Sequence, residues 1–137
     1  MYTSGALILT NDGEFSYKIT HPKYEIKKTY NVTIIGELTK EELEKIRNGI
    51  DIENYTTKKS EARILKYEPE KNRTRVEIII SEGKNRQIRK MMQAINKKIL
   101  ALHRSKIGNI NVKNLKIGTW RYLDSYEIKE LLNFKNK

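Results

Sequence analysis

The sequence predicts an α+β fold, a mostly antiparallel sheet with flanking helices, and three observations carry that reading. Segments with strand-like alternation outnumber helical ones. The strands follow one another in consecutive pairs, without strict alternation with helices, which favours antiparallel neighbours. The helices announce themselves by caps, with Thr39-Lys40-Glu41-Glu42 and Asp124-Ser125-Tyr126-Glu127 each placing an acceptor three residues before a glutamate.

In chain order, Gly5 to Thr10 is an apolar run read as a buried strand, closed by the turn Asn11-Asp12-Gly13. A short helical piece is expected from Glu14 to Thr20, broken by His21-Pro22. From Lys27 to Ile35, Tyr30, Val32 and Ile34 alternate with Thr29, Asn31 and Thr33, the pattern of a strand. The Thr39 helix carries Leu43 and Ile46 as its apolar stripe and ends near Gly49. Ile50 to Ser60 reads as a loop with short extended pieces, and Glu61 to Tyr67 as a strand. Pro69 to Asn72 is a polar turn, and Arg73 to Ile80 alternates again through Thr74, Val76, Ile78 and Ile80. Beyond the next helix, Lys98 to Leu102, Ile107 to Val112 and Thr119 to Leu123 read as extended. The Asp124 cap opens a terminal helix with Ile128, Leu131 and Leu132, and the tail Lys135-Asn136-Lys137 is expected to fray.

The 137 residues suit one domain with one hydrophobic core. No apolar run approaches the roughly 18 residues of a membrane span, and no signal-peptide pattern opens the chain, so the expected location is the cytoplasm. Cysteine is absent and the two histidines lie far apart, which argues against a disulfide framework, a thiol nucleophile or a metal site. The 28 Lys and Arg residues outnumber 17 Asp and Glu, a net charge of +11, and a surplus of that size favours a polyanionic partner such as nucleic acid.

The densest cluster of cations begins at Ser81-Glu82-Gly83-Lys84-Asn85-Arg86 and continues into a helix. A glycine turn is expected at its start. At about 100° per residue, Ile88, Met91, Met92 and Ile95 share one apolar stripe, with Arg86, Lys90 and Gln93 opposite. Arg89 falls at the border of that stripe, where a guanidinium can be half-buried against a fixed carboxylate. A basic surface helix packed by its Ile/Met side would show the same stripe.

Four stretches in order carry a family resemblance. They are Thr3-Ser4-Gly5-Ala6-Leu7-Ile8-Leu9-Thr10-Asn11-Asp12-Gly13, then Thr20-His21-Pro22 with Glu25 to Tyr30, then Glu82-Gly83-Lys84-Asn85-Arg86-Gln87-Ile88-Arg89-Lys90-Met91, and last Leu102 to Gly108 with Gly118 to Leu123. Together they resemble the catalytic domain of ribosomal RNA pseudouridine synthases of the RsuA/RluB type, from Thr3 to about Leu132. The resemblance implies isomerisation of a uridine in ribosomal RNA to its C-glycoside, with no metal or redox cofactor. It implies that Tyr30 is the active-site tyrosine, stacked on the target base, where a tyrosine offers a flat apolar face and a polar tip. It implies that Arg89 pairs with the catalytic carboxylate, orienting it and keeping it ionised. Leu102 matches the apolar residue of the base pocket, although core packing explains it equally well. Lys27, Lys28, Lys84, Arg86, Arg104 and Lys106 are candidates for RNA-backbone contact, each singly no different from a surface charge. His21 is assigned to the loop beside Pro22, and Trp120 to core or rim.

In the family the first motif reads Arg-Leu-Asp, two variable residues, then Thr-Ser-Gly. Met1 and Tyr2 fill the variable pair, so the nucleophilic aspartate is expected immediately before Met1, outside this chain. Asp12, in the turn beyond the apolar run, does not replace it. The expectation is a single partial catalytic domain, without the upstream part of the domain and the family's small N-terminal RNA-binding module. One reading is a piece of a working synthase, inactive by itself; the alternative is a non-catalytic RNA-binding domain on the same scaffold. Missing sheet partners would leave an apolar edge through which copies could self-associate.

Overall fold

The computed structural model describes residues 2–84 and 86–133, with the backbone alone at Tyr2; Asn85 and the tail expected to fray lie outside the described residues. Its elements are β1 (Tyr2–Gly5), α1 (Gly13–Thr20), β2 (Lys28–Ile35), α2 (Lys40–Asn48), β3 (Asp51–Ile52), β4 (Tyr55–Thr56), β5 (Glu61–Glu68), β6 (Arg73–Ile80), α3 (Gln87–Ala94), β7 (Ile99–Ile107), β8 (Ile110–Asn111) and α4 (Ser125–Leu132). The main sheet runs β1-β7-β2-β6-β5, with β8 also on β7, and β3 and β4 form a separate small hairpin. All pairs are antiparallel except β1 on β7. The predicted α+β class, with its mostly antiparallel sheet and helices, is therefore what the chain adopts.

The β2 alternation does what its pattern requires. Val32 and Ile34 are fully buried, facing Val76, Ile78 and Ile80 of β6 and the α3 residues Ile88, Met91 and Met92. Leu43 and Ile46 of α2 close the same core. A second, smaller cluster holds Ala6, Ile19, Ile26, Ile107, Ile110 and Leu131, packed by α1 and α4. Among the described residues, three of the four α-helix starts are capped by side chains: Asp12 Oδ1 accepts from the Glu14 and Phe15 amides, and Thr39 and Asp124 complete full capping boxes, whereas α3 starts at Arg86 without a side-chain cap.

Four extended segments come out differently. The buried strand expected at Gly5 to Thr10 is strand only from Tyr2 to Gly5, and Leu7 and Leu9 are 73% and 84% exposed. Beyond Gly5 the ladder has no partner to continue on, because the next stretch of β7, Lys106 and Ile107, pairs with β8. The strand expected at Lys98 to Leu102 runs on to Ile107, then turns at Gly108 into β8, so Ile107 to Val112 is a hairpin turn and not one strand. Thr119 to Leu123 forms no strand: the Thr119 amide closes a turn on the Lys116 carbonyl, and Trp120, expected in the core or rim, is 71% exposed with its ring edge-on to Tyr122.

Near the C-terminus, Arg121 holds Glu127 through two 2.8 Å hydrogen bonds. That guanidinium, helped by the Asp124 amide, pulls the Glu127 carboxyl from the ordinary 4.5 to about 2. A carboxyl depressed in the folded state contributes stability above its unfolded value and loses it as pH falls through its folded value. The advantage in melting temperature of wild type over Arg121→Gln should therefore close between about pH 4.5 and pH 2. A difference constant across that window would contradict the pairing.

Candidate active site

The registers of three strands assemble the site. Thr3 lies opposite Leu102 and Gly5 opposite Arg104, while on the other side of β7 Leu102 faces Val32 and Arg104 faces Tyr30. Directly opposed residues project to the same side of a sheet. Thr3, Leu102, Arg104, Tyr30 and, two residues along β2, Lys28 thus share the face covered by α3. A bulge in β7 at Ser105 shifts the register between Thr29 and Tyr30. It sits beside the tyrosine, where such irregularities re-aim side chains.

The glycine of Thr3-Ser4-Gly5 has a physical reason. Its φ is +142°, and a Cβ there would stand 2.5 Å from the Arg104 backbone nitrogen and 2.7 Å from its carbonyl oxygen. Only a residue without a side chain lets β1 lie this close to β7. Arg104 then clasps the strand end, donating from Nε and Nη2 to the Ala6 carbonyl at 3.0 and 2.7 Å. On the opposite face, Ser4 Oγ and His103 Nδ1 lie 2.7 Å apart.

Arg89 occupies the border position that its helical angle requires, half-buried between α3 and β1. Its Nη2 donates to Thr3 Oγ1. Its Nε is buried and has no hydrogen-bond partner among the described residues. A buried guanidinium N–H without an acceptor is costly, typically about 1–3 kcal/mol, so such a group is either strained or waiting for a partner. The fork is aimed at the first strand, and a carboxylate there would accept from it in bidentate fashion.

Tyr30 is half-buried, its ring packed against the main core and its hydroxyl unbonded among the described residues. Leu102 is 8% exposed and belongs to the same core. The six cations divide. Lys28 and Arg104 lie on the site face; the Lys28 ammonium is held below the ordinary lysine range, first by burial and then by Arg104, with Glu82 partly offsetting. Lys84 and Arg86 are exposed at the start of α3, Lys84 over the Tyr55 ring at 4.4 Å. Lys27 pairs with Glu61 at 3.6 Å, and Lys106 stands opposite Thr29, so these two belong to the other face. The expected glycine turn is also displaced: Gly83 keeps an ordinary φ, and Arg86 takes the left-handed conformation at φ 54°.

Sequence reasoning missed Glu82, Gln87 and Tyr55. Glu82 is 5% exposed and accepts from the Tyr55 hydroxyl, the Lys58 amide at 2.9 Å and Gln87 Nε2 at 2.8 Å. Gln87 lies one helical turn before Met91, inside the apolar stripe, and a polar residue at such a position signals a buried bond. Two open hollows, of about 420 and 230 Å³, run along β5 past Ser60, Glu61 and Ile79, and Tyr30 and Arg89 line neither.

The family model for RNA pseudouridylate synthases matches residues 1–94, more than half of the chain. The chain belongs to the RNA pseudouridylate synthase family. Among family members, ribosomal large subunit pseudouridine synthase B of Bacillus subtilis is 41% identical over 129 residues, covering 94% of this chain and 53% of the relative. Ribosomal small subunit pseudouridine synthase A of Vibrio cholerae is 31% identical over 132 residues, covering 94% and 54%. A crystal structure of a pseudouridylate synthase superposes with a TM-score of 0.84 at 34% identity, covering 93% of this chain and 54% of that one. The chain spans about half the length of the curated relatives it matches.

Proposed function

We propose that this chain is the part of a ribosomal RNA pseudouridine synthase that grips the RNA and presents Tyr30 and Arg89 to a target uridine. The observation that carries the reading is Arg89, with a buried Nε that has no partner among the described residues and an Nη2 anchored on Thr3. In this reading a carboxylate on the N-terminal side of Thr3 completes the bidentate pair and stays ionised. It engages the ribose as the bond between C1′ and N1 breaks; the uracil turns against the Tyr30 ring; C5 bonds to C1′, its proton leaves, and N1 gains one. The names of the relatives support ribosomal RNA as the substrate class. By itself the 137-residue chain isomerises no uridine, because the carboxylate is supplied from upstream.

RNA binding is carried by Lys28, Lys84, Arg86 and Arg104 around the site. If each neutralises one phosphate, the logarithm of affinity for a ribosomal RNA transcript should fall against the logarithm of salt with a slope of about −3. Fluorescence anisotropy over a salt series measures it, and a flat response would remove RNA as the partner. The free edge of β1, with Leu7 and Leu9 beside it, is proposed to pair with a second copy, visible as dimer in sedimentation of the RNA-free chain.

A further inference from the structure

The β3–β4 hairpin touches the Glu82–Lys90 segment at three separate points. The Tyr55 hydroxyl donates to Glu82 Oε2, the Lys84 ammonium rests 4.4 Å from the centre of the Tyr55 ring, and Lys90 Nζ pairs with Glu53 Oε1 at 3.2 Å. The hydrogen bonds continue inward as a relay. Glu82 Oε1 accepts from Gln87 Nε2, which fixes the orientation of the Gln87 amide, and Gln87 Oε1 then accepts from the Lys84 backbone N–H at 3.1 Å. The Gln87 backbone N–H in turn donates to the Lys84 carbonyl at 3.0 Å. One buried carboxylate is thereby linked, through Gln87 in the first turn of α3, to the Lys84 backbone.

We infer that Glu82 and Tyr55 are positioning residues, a tether by which the β3–β4 hairpin holds the basic turn at Lys84 and Arg86 in its RNA-contacting form. The inference rests on the RNA reading above for its purpose, and on these contacts for its mechanics. The tether acts beside Arg86, which sits at a left-handed φ of 54° that favours few side chains. The aromatic ring does a second job, since it parks the Lys84 ammonium over a flat face. The Tyr55 phenol is correspondingly pushed up to about 12, first by its bond to Glu82.

The test compares the full chain with Tyr55→Phe and Glu82→Ala by amide hydrogen exchange and by anisotropy with a ribosomal RNA transcript. In Tyr55→Phe the Lys84 amide should exchange about tenfold faster, the loss of roughly one hydrogen bond's worth of order, while β2 and β6 amides keep their protection. RNA affinity should fall by about fivefold with a shallower salt slope. Glu82→Ala should show both effects more strongly, and if it fails to fold, Tyr55→Phe decides alone. Unchanged exchange at Lys84 overturns the tether, as does acceleration spread evenly over the sheet. Local acceleration with RNA affinity unchanged also overturns it. Failure of the wild-type chain to bind RNA would instead defeat the proposed function, and the exchange pattern distinguishes that case.

Discussion

Replacing Arg89 with methionine, in the protein extended upstream through an Arg-Leu-Asp motif, should lower uridine isomerisation by about 10³-fold, the scale of losing one preorganised electrostatic partner in an active site. Methionine keeps much of the stem's bulk at the border of α3, so packing against the core persists while the fork is lost. Arg89→Lys should recover only part of the rate, because a lysine keeps the charge without the two parallel N–H groups that orient a carboxylate. Single-turnover measurement on ribosomal RNA separates this from weakened binding. The Nε, without a partner among the described residues, predicts that the defect lies in the chemical step, with RNA affinity nearly intact. Equal activity of Arg89→Met and wild type would leave the guanidinium without a catalytic role.

Gly5→Ala should be the most damaging small substitution in the fold. The added methyl would meet Arg104 backbone atoms at 2.5 and 2.7 Å, and no side-chain rotation relieves a clash between two main chains. The φ of +142° adds strain for any residue with a Cβ. Together these should cost about 3 kcal/mol, or detach β1 from β7 altogether. Gly13→Ala is the control, since nothing lies within 4 Å of its would-be Cβ and it opens α1 in ordinary helical geometry. Urea unfolding should show Gly13→Ala near neutral and Gly5→Ala strongly shifted. If β1 detaches, Arg89 also loses Thr3, so the loss reaches the site itself.

Much of this molecule is written locally, and those parts were legible in the sequence. β2 and β6 alternate apolar and polar residues because each has one face in the core, and the burial of Val32, Ile34, Val76 and Ile78 follows from the spacing. The caps at Thr39 and Asp124 work within four residues, so they too can be read from neighbours alone. Arg89 at the edge of its stripe followed from helical geometry, and its half-burial is a direct consequence of that angle.

What escaped depends on partners distant in the chain. Leu7 and Leu9 look like core in sequence, yet β7 stops offering β1 a ladder at Arg104, and they are left exposed. The polar run His103-Arg104-Ser105-Lys106 concealed the second half of β7, because a central strand with a bulge need not alternate cleanly. The short extended pieces expected between Ile50 and Ser60 are present as β3 and β4, but Asp51 to Thr56 is too short to show a period, so their pairing and the bond from Tyr55 to Glu82 were not legible. The six candidate cations could not be sorted by sequence either. Strand parity decides it, sending Lys28 and Arg104 to the site face and Lys106 to the other.

In the proposed function, this chain grips the RNA and presents Arg89 while the carboxylate comes from upstream of Thr3. This division of roles is tested most directly by tritium release from ribosomal RNA labelled at uridine C5, comparing the 137-residue chain with the same chain extended upstream through Arg-Leu-Asp. The expected result is RNA binding without release for the chain, release for the extended protein, and none when the added aspartate is alanine. Tritium release by the 137-residue chain itself would contradict it.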